Sequence, residues 1–311
     1  RLQAQGGRPS PKTCRVLVLA PTRELAAQIA ESFKAYGRDL KLSVAVVFGG
    51  VPLGRQREQL ARGVDVLVAT PGRLLDHVDN NALRLDAVSM FVLDEADHMM
   101  DMGFIHALRR IAKMLPRQRQ SLFFSATMPP DIAALAEQFL TDPQKVAVAP
   151  VSSTAERVSQ GVIHIEQEDK NELLDALLSE RPEIDRAIVF TRMKHGADRV
   201  VKALRDQGHE ADAIHGNKSQ AQRERALAGF KAGQVRVLVA TEIAARGIDV
   251  DEVSHVINYD LPNVPEQYVH RIGRTARAGA EGQAISFCAP EERAWLRDIE
   301  KLTKQAVPVI E

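Results

Sequence analysis

The 311-residue sequence carries no net charge: 41 lysines and arginines balance 41 aspartates and glutamates. A strongly basic, non-specific nucleic-acid binder would show an excess of cations. Any grip on a polyanion must therefore come from local arrangement and from backbone N–H groups. Cysteine is scarce. Cys14 and Cys288 are too few and too far apart for a disulfide framework or a zinc site, and both read as buried thiols, in keeping with a reducing, cytoplasmic setting. Aromatic residues make up 5% of the chain, which leaves little material for base-stacking platforms. No apolar run approaches the ~18 residues that span a bilayer. The opening Arg1-Leu2-Gln3-Ala4-Gln5 lacks the apolar core of a signal peptide. There is no initiator methionine, which reads as a start inside a longer sequence.

What is present is a repeating alternation. Apolar runs such as Val16–Leu19, Val44–Val47, Val66–Ala69, Met90–Leu93 and Ser121–Phe124 are separated by helical patterns at Glu24–Tyr36, Gly103–Leu115 and Asp131–Leu140. Continuous apolar strands between helices predict a parallel sheet covered on both faces. The small, polar stretch Ala149 to Ala155 then reads as a linker. The alternation resumes with strands at Gly161–Glu166, Ala187–Phe190, Ala211–Ile214, Val235–Val239, Val253–Asn258 and Ala284–Cys288. The expected fold class is α/β, with two doubly wound parallel-sheet domains. In such sheets ligands sit outside the carboxyl ends of the strands, and most of the unusual strings follow a strand.

Asp94-Glu95-Ala96-Asp97 closes the apolar strand Met90–Leu93. Two carboxylates at that position suit a magnesium ion and an attacking water in a nucleoside triphosphatase. Such a site normally takes a Gly-rich loop ending in Gly-Lys-Ser/Thr, and the 311 residues contain none. The nearest string, Gly216-Asn217-Lys218-Ser219, lacks the first glycine at the right spacing and lies far downstream. Other strings have plain structural readings beside functional ones. Pro21-Thr22-Arg23-Glu24-Leu25 suits a helix start capped by Thr22. Thr70-Pro71-Gly72-Arg73 suits a turn with proline near a helix start, Ser125-Ala126-Thr127 a strand end, and Gly49-Gly50 a turn. In His270-Arg271-Ile272-Gly273-Arg274-Thr275-Ala276-Arg277, a solvated cationic face competes with a clamp in which Arg274 and Arg277, three apart on one helical face, hold a transferring phosphoryl group.

In order and spacing these strings, with Ala240-Thr241-Glu242 and Arg246-Gly247-Ile248-Asp249, resemble the DEAD-box family of ATP-dependent RNA helicases, from Val16 to about Glu311. Gly103-Phe104 and Ser125-Ala126-Thr127-Met128-Pro129 look most like its bacterial RhlE-like branch. The resemblance implies two RecA-like domains: an ATP-binding domain over 1–150, incomplete at its N-terminus and without the adenine-reading glutamine motif and the phosphate loop, a linker over 151–156, and a helicase C-terminal domain over 157–311. It implies ATP and magnesium as cofactors. Asp94 would hold magnesium through water, and Glu95 would orient the attacking water. Asp97 would link to Ser125, Thr127 and His270. Gly247 and Asp249 would meet the nucleotide, and Arg274 and Arg277 would act as arginine fingers on the γ-phosphate. The partner implied is RNA, single-stranded or duplex, held with little sequence preference by Pro21, Thr22, Arg23, Gly50, Thr70, Arg73, Thr191, Arg223 and Thr241, mainly through phosphates and 2′-hydroxyls. No membrane partner is expected, and protein partners are not indicated.

Glu242 stands where the family usually has aspartate, and Ala276 where glycine is frequent. The missing loop is the larger departure. It predicts impaired ATP binding and hydrolysis, and it predicts a destabilised first domain, because its strand is expected inside the first sheet, where its loss would strand backbone groups. An ATP-independent RNA-binding or RNA-chaperone protein is the alternative, though the retained Asp94, Glu95, Arg274 and Arg277 speak against it. A DNA helicase or translocase on the same scaffold is a third reading, less well matched by the strings.

Overall fold

A computed structural model describes residues 7–147, 158–245, 250, 253–275 and 282–310. The chain divides into two compact units, Arg1–Val146 and Ala147–Glu311. The expected linker, 151–156, lies outside the described residues.

Unit one is built on five strands: β1 Cys14–Leu19, β2 Val44–Val47, β3 Val64–Ala69, β4 Met90–Leu93 and β5 Gln120–Phe123, in the spatial order β2-β3-β1-β4-β5. Every pairing is parallel. The register sets Leu17 beside Leu67 and Phe91, and all three are fully buried. Residues of alternating parity serve opposite faces. Leu17, Leu19, Leu67, Phe91 and Leu93 pack against the side that also holds Leu108, Ile111 and Phe139. Val16, Val18, Val66 and Val68 pack on the other against Ala26 and Ala30 of the helix Arg23–Tyr36. Both faces of β1 and β3 are thus apolar, so these strands carry apolar runs rather than alternation.

The sheet has no internal gap. Its unpaired edges are the outer sides of β2 and β5, so the expectation of stranded groups inside it is corrected. At the rim, β5 alternates exposed and half-buried residues, and the apolar Leu122 and the following Phe124 are 36% and 52% exposed.

Unit two has six strands, β6 Val158–His164, β7 Ala187–Thr191, β8 Ala211–Ile214, β9 Val237–Thr241, β10 His255–Asn258 and β11 Gly282–Cys288, in the order β6-β11-β10-β7-β9-β8, again all parallel. The rim strand β6 is partly covered by the chain's own end: Val162 N–H donates to the Pro308 carbonyl, and Ile310 N–H donates to the Val162 carbonyl. Among the described residues no helix is long and apolar enough to cross a membrane. Cys14 and Cys288 are free and buried, and burial pushes the Cys14 thiol up to about 12.

Candidate nucleotide and nucleic-acid site

The strings of unit one all emerge at the carboxyl ends of its parallel strands, so one end of the sheet collects them. Asp94 follows β4, and its N–H is fixed to the Leu19 carbonyl of β1. Its Oδ1 accepts the Glu95 N–H at 3.0 Å. Glu95 adopts left-handed backbone geometry, φ 50° and ψ 54°, a conformation that costs a non-glycine residue about 1–2 kcal/mol. This turn sharply redirects the chain into the helix Ala96–Asp101 and sets the Glu95 side chain at the strand end. The next turn is tied to β5, since the Ala96 N–H donates to the Phe124 carbonyl.

Asp97 organises the segment after β5. Its Oδ2 accepts both the N–H (3.1 Å) and the hydroxyl (3.0 Å) of Thr127. Its own N–H donates to Ser125 Oγ at 3.3 Å. His98, which sequence reasoning passed over, is buried, with Nδ1 3.0 Å from Glu95 Oε2. Its Nε2 has no hydrogen-bond partner among the described residues.

Burial raises the pKa of Asp94, and the charges of Glu95 and Asp97 raise it further. A carboxylate cluster short of positive charge fits a hydrated magnesium ion. Such an ion is held by one or two carboxylates and substrate phosphates rather than by an all-protein cage. Among the described residues no group of three or more His, Cys, Asp or Glu side chains is placed to hold a metal ion.

Beside these acids, Thr22 accepts the Leu25 N–H at 3.2 Å and caps the helix Arg23–Tyr36. Pro21 lies just before this cap. The Arg23 guanidinium lies over Gly49 and Gly50. At Gly50, φ is +78° and a Cβ would fall 2.3 Å from Arg23 Nη1, so a larger residue there would strain the backbone and displace the guanidinium. Arg73 is committed to the fold: Nη1 donates to the Val51 carbonyl and to Gln56 Oε1, both at 2.9 Å, and Nε bonds Asp76. Gln56 also receives the buried His77 Nε2 at 3.0 Å and donates to the Phe48 carbonyl. It thereby joins the Gly49-Gly50 loop to the helix Pro71–Asp79, whose cap position is the buried Thr70. Nothing in the sequence around Gln56 signals this role.

In unit two, Thr191 ends β7 fully buried, with its hydroxyl on the Met193 carbonyl. Thr241 ends β9 half-buried, and Arg223 lies on the helix Gln220–Lys231. The arginine-rich string divides. Arg271 is a core residue, 2% exposed, with Nε on Glu242 Oε2 at 2.7 Å, Nη1 on Asn258 and the Asp260 carbonyl, and its guanidinium 4.9 Å from the Phe190 ring. The helix Pro265–Ile272 carries His270 and stops at Gly273. Arg274 therefore sits in the following turn, with Nε on the His270 carbonyl. Gly247, Asp249 and Arg277 lie outside the described residues. Ser219 forms a capping box with Gln222, and Lys218 pairs with Asp198 at 2.8 Å, so the Gly216–Ser219 string is a helix start and no phosphate cradle.

Comparison with known proteins agrees with this geometry. The family model described as DEAD/DEAH box helicase matches residues 3–135, and the helicase conserved C-terminal domain matches residues 169–279. The chain is 44% identical over 298 residues to the DEAD-box ATP-dependent RNA helicase CshA of Bacillus subtilis, covering 96% of this chain and 60% of that protein. It is likewise 44% identical over 292 residues to the ATP-dependent RNA helicase CshA of Listeria monocytogenes. It spans about three fifths of the length of these relatives. Among solved structures, S. cerevisiae Dbp5 bound to RNA and ADP BeF3 matches with a TM-score of 0.87 and 29% identity, over 99% of this chain and 80% of that one. A DEAD box protein from the hyperthermophile Methanococcus jannaschii matches at 37% identity with a TM-score of 0.53, over 96% and 80%. The two parallel-sheet units are RecA-like, and the chain belongs to the DEAD-box helicase family.

Proposed function

We propose that this chain is the RNA- and nucleotide-handling core of an ATP-dependent RNA helicase, which separates RNA duplexes locally as ATP drives two domains to close on RNA. The arrangement of Asp94, Glu95 and Asp97 with Ser125 and Thr127 at the ends of adjacent strands carries the reading. In it, residues 1–150 serve as the ATP-binding half and 157–311 as the C-terminal half, joined through 151–156. Asp94 holds magnesium through water, and Glu95 polarises the attacking water. Magnesium, when bound, neutralises phosphate charge. Arg274 and Arg277 stabilise the charge that develops on the γ-phosphate, and Gly247 and Asp249 approach the nucleotide. Asp97, Ser125, Thr127 and His270 couple nucleotide to closure.

RNA is the proposed partner, met by Pro21, Thr22, Arg23, Gly50, Thr70, Arg73, Thr191, Arg223 and Thr241. Since Thr22 and Arg73 already bond the protein, their part is to hold backbone N–H groups and the loop at Gly50 in place for phosphates. A cytoplasmic setting goes with this reading. Within the family, Gly103-Phe104 and the residues after Thr127 favour the RhlE-like branch, while the relatives reported above carry the name CshA.

The absence of a Gly-Lys-Ser/Thr loop from the 311 residues favours impaired hydrolysis by the chain alone. Equilibrium binding of a single-stranded RNA and of DNA of the same sequence tests the substrate. RNA is expected to bind at least tenfold tighter, through its 2′-hydroxyls; equal affinity overturns RNA as the substrate.

A further inference from the structure

The opposite end of the first sheet carries a second constellation that none of the strings above uses. β1, β2 and β3 lie side by side and parallel, so the segments that enter them meet at one end. Strands of four to six residues rise about 3.3 Å per residue, which places this end about 15–20 Å from Asp94 and Gly50. Here Arg8, Arg15, Lys41 and Arg62 line a cavity of 490 Å³ with one carboxylate, Asp65. The chain as a whole has no net charge, so this excess of cations is local.

The cavity is internally braced. Arg15 Nη1 bonds Asp65 at 3.2 Å, and Nη2 bonds the Gly7 carbonyl at 2.8 Å. Asp65 Oδ2 in turn accepts the Ser43 N–H (2.9 Å) and hydroxyl (2.7 Å). Thr13 N–H donates to the Ser10 carbonyl, and Val64 N–H donates to the Thr13 carbonyl. One network thus joins the entries to all three strands and neutralises the single acid. Arg8, Lys41 and Arg62 remain exposed, with no ion pair or side-chain hydrogen bond among the described residues. An exposed cation on a mobile loop is ordinarily only solvated. These three project from entries tied to one another by the Arg15–Asp65–Ser43 hydrogen bonds, so less ordering is lost when they meet an anion.

We propose that this face is a second binding site for the phosphate backbone of a polynucleotide, separate from the strand-end site. The spacing favours a polymer over a single small anion. Lys41 precedes β2, Arg62 precedes β3, and Arg8 precedes β1. Adjacent strands are about 4.8 Å apart, so the row spans about 10 Å, wider than one phosphate. A flanking segment of a long RNA, extending beyond the strand-end site, meets this requirement. The identity of the polymer rests on the RNA reading above; the anion-binding character rests on the cavity alone.

The test is the salt dependence of binding of a labelled 40-nucleotide single-stranded RNA to the 311-residue chain and to the double variant K41E/R62E, with folding checked by circular dichroism. Neither residue lies in the proposed catalytic or strand-end site. Each phosphate contact to a single strand contributes about 0.7 to the slope of log K against log salt. The variant is expected to bind at least tenfold more weakly at low salt, with a slope reduced by about 1.4. RNA binding by the unaltered chain that the double substitution leaves unchanged in affinity and slope overturns the second site and leaves the helicase reading standing. An unaltered chain that binds no RNA overturns both.

Discussion

Arg271 and Glu242 form an ion pair, Nε to Oε2 at 2.7 Å, with the arginine side chain 2% and the glutamate side chain 14% exposed. Removing one partner of a buried pair leaves an uncompensated charge, at a cost of about 3–5 kcal/mol. Glu242→Ala is therefore expected to destabilise unit two by that amount in urea denaturation. Glu242→Asp, the residue usual in the family, is one methylene shorter and is expected to cost about 1 kcal/mol, the worth of a lengthened hydrogen bond. An unchanged denaturation midpoint for Glu242→Ala would contradict the placement of Arg271.

Gln56 is the second residue on which several groups converge. Its amide serves Arg73, His77 and the Phe48 carbonyl. Gln56→Ala is expected to cost about 1–3 kcal/mol through the groups it leaves unsatisfied. It is also expected to weaken RNA binding several-fold, because the loop at Gly50 and the helix at Thr70 lose their tie. Denaturation and equilibrium binding on the same preparation check both effects.

Much of the architecture was legible because burial writes itself into composition. Strands covered on two faces must be apolar throughout, and Val16–Leu19, Val66–Ala69 and Ala187–Phe190 announce themselves on that ground. The pairing of Asp97 with Thr127 and Ser125 lies between segments that are far apart in sequence yet both follow strands, so topology brought them together. Arg271 was not legible. A guanidinium within a cationic string looks solvated, and its burial depends on Glu242 and Asn258, contributed by other elements. The end of its helix at Gly273, which sets Arg274 in a turn, is equally a matter of local backbone geometry. His98 and Gln56 escaped notice because polar residues on helices usually face water.

Gly161 marks a close approach of two chain segments. A Cβ there would fall 2.5 Å from Ile310 Cδ1, while Val162 bonds both Pro308 and Ile310. Gly161→Ala is expected to undock the C-terminal residues and to cost about 1–3 kcal/mol by overpacking. Adding Ile310→Ala makes room and is expected to restore most of the loss. Proteolysis of the C-terminus reads the undocking, and no rescue by the second substitution would contradict the contact.

Acid is expected to weaken both units through two histidines. Burial lowers the pKa of His77, assisted by Arg73, and burial lowers that of His255. Each is neutral in the folded chain at a pH where the unfolded chain, with an ordinary value of about 6.5, takes up a proton. Stability is full above that value and falls as pH drops through it toward the folded value. His77 Nδ1 has no partner among the described residues, so protonation there buries an unmatched N–H. Melting temperature is expected to decline from pH 7.5 to 5.5. His77→Gln, which keeps a donor for Gln56 and does not titrate, is expected to flatten that decline. A melting temperature that does not change with pH would refute this.

The proposed function gives this chain the water-polarising and RNA-handling parts of a helicase, while its 311 residues hold no Gly-Lys-Ser/Thr loop. ATP hydrolysis by the purified chain, with and without single-stranded RNA and with Glu95→Gln as the blank, tests it most directly. The chain is expected to bind RNA and to turn over ATP no faster than the blank. RNA-stimulated hydrolysis that Glu95→Gln abolishes would contradict it, and would mean that other groups of this chain hold the β- and γ-phosphates.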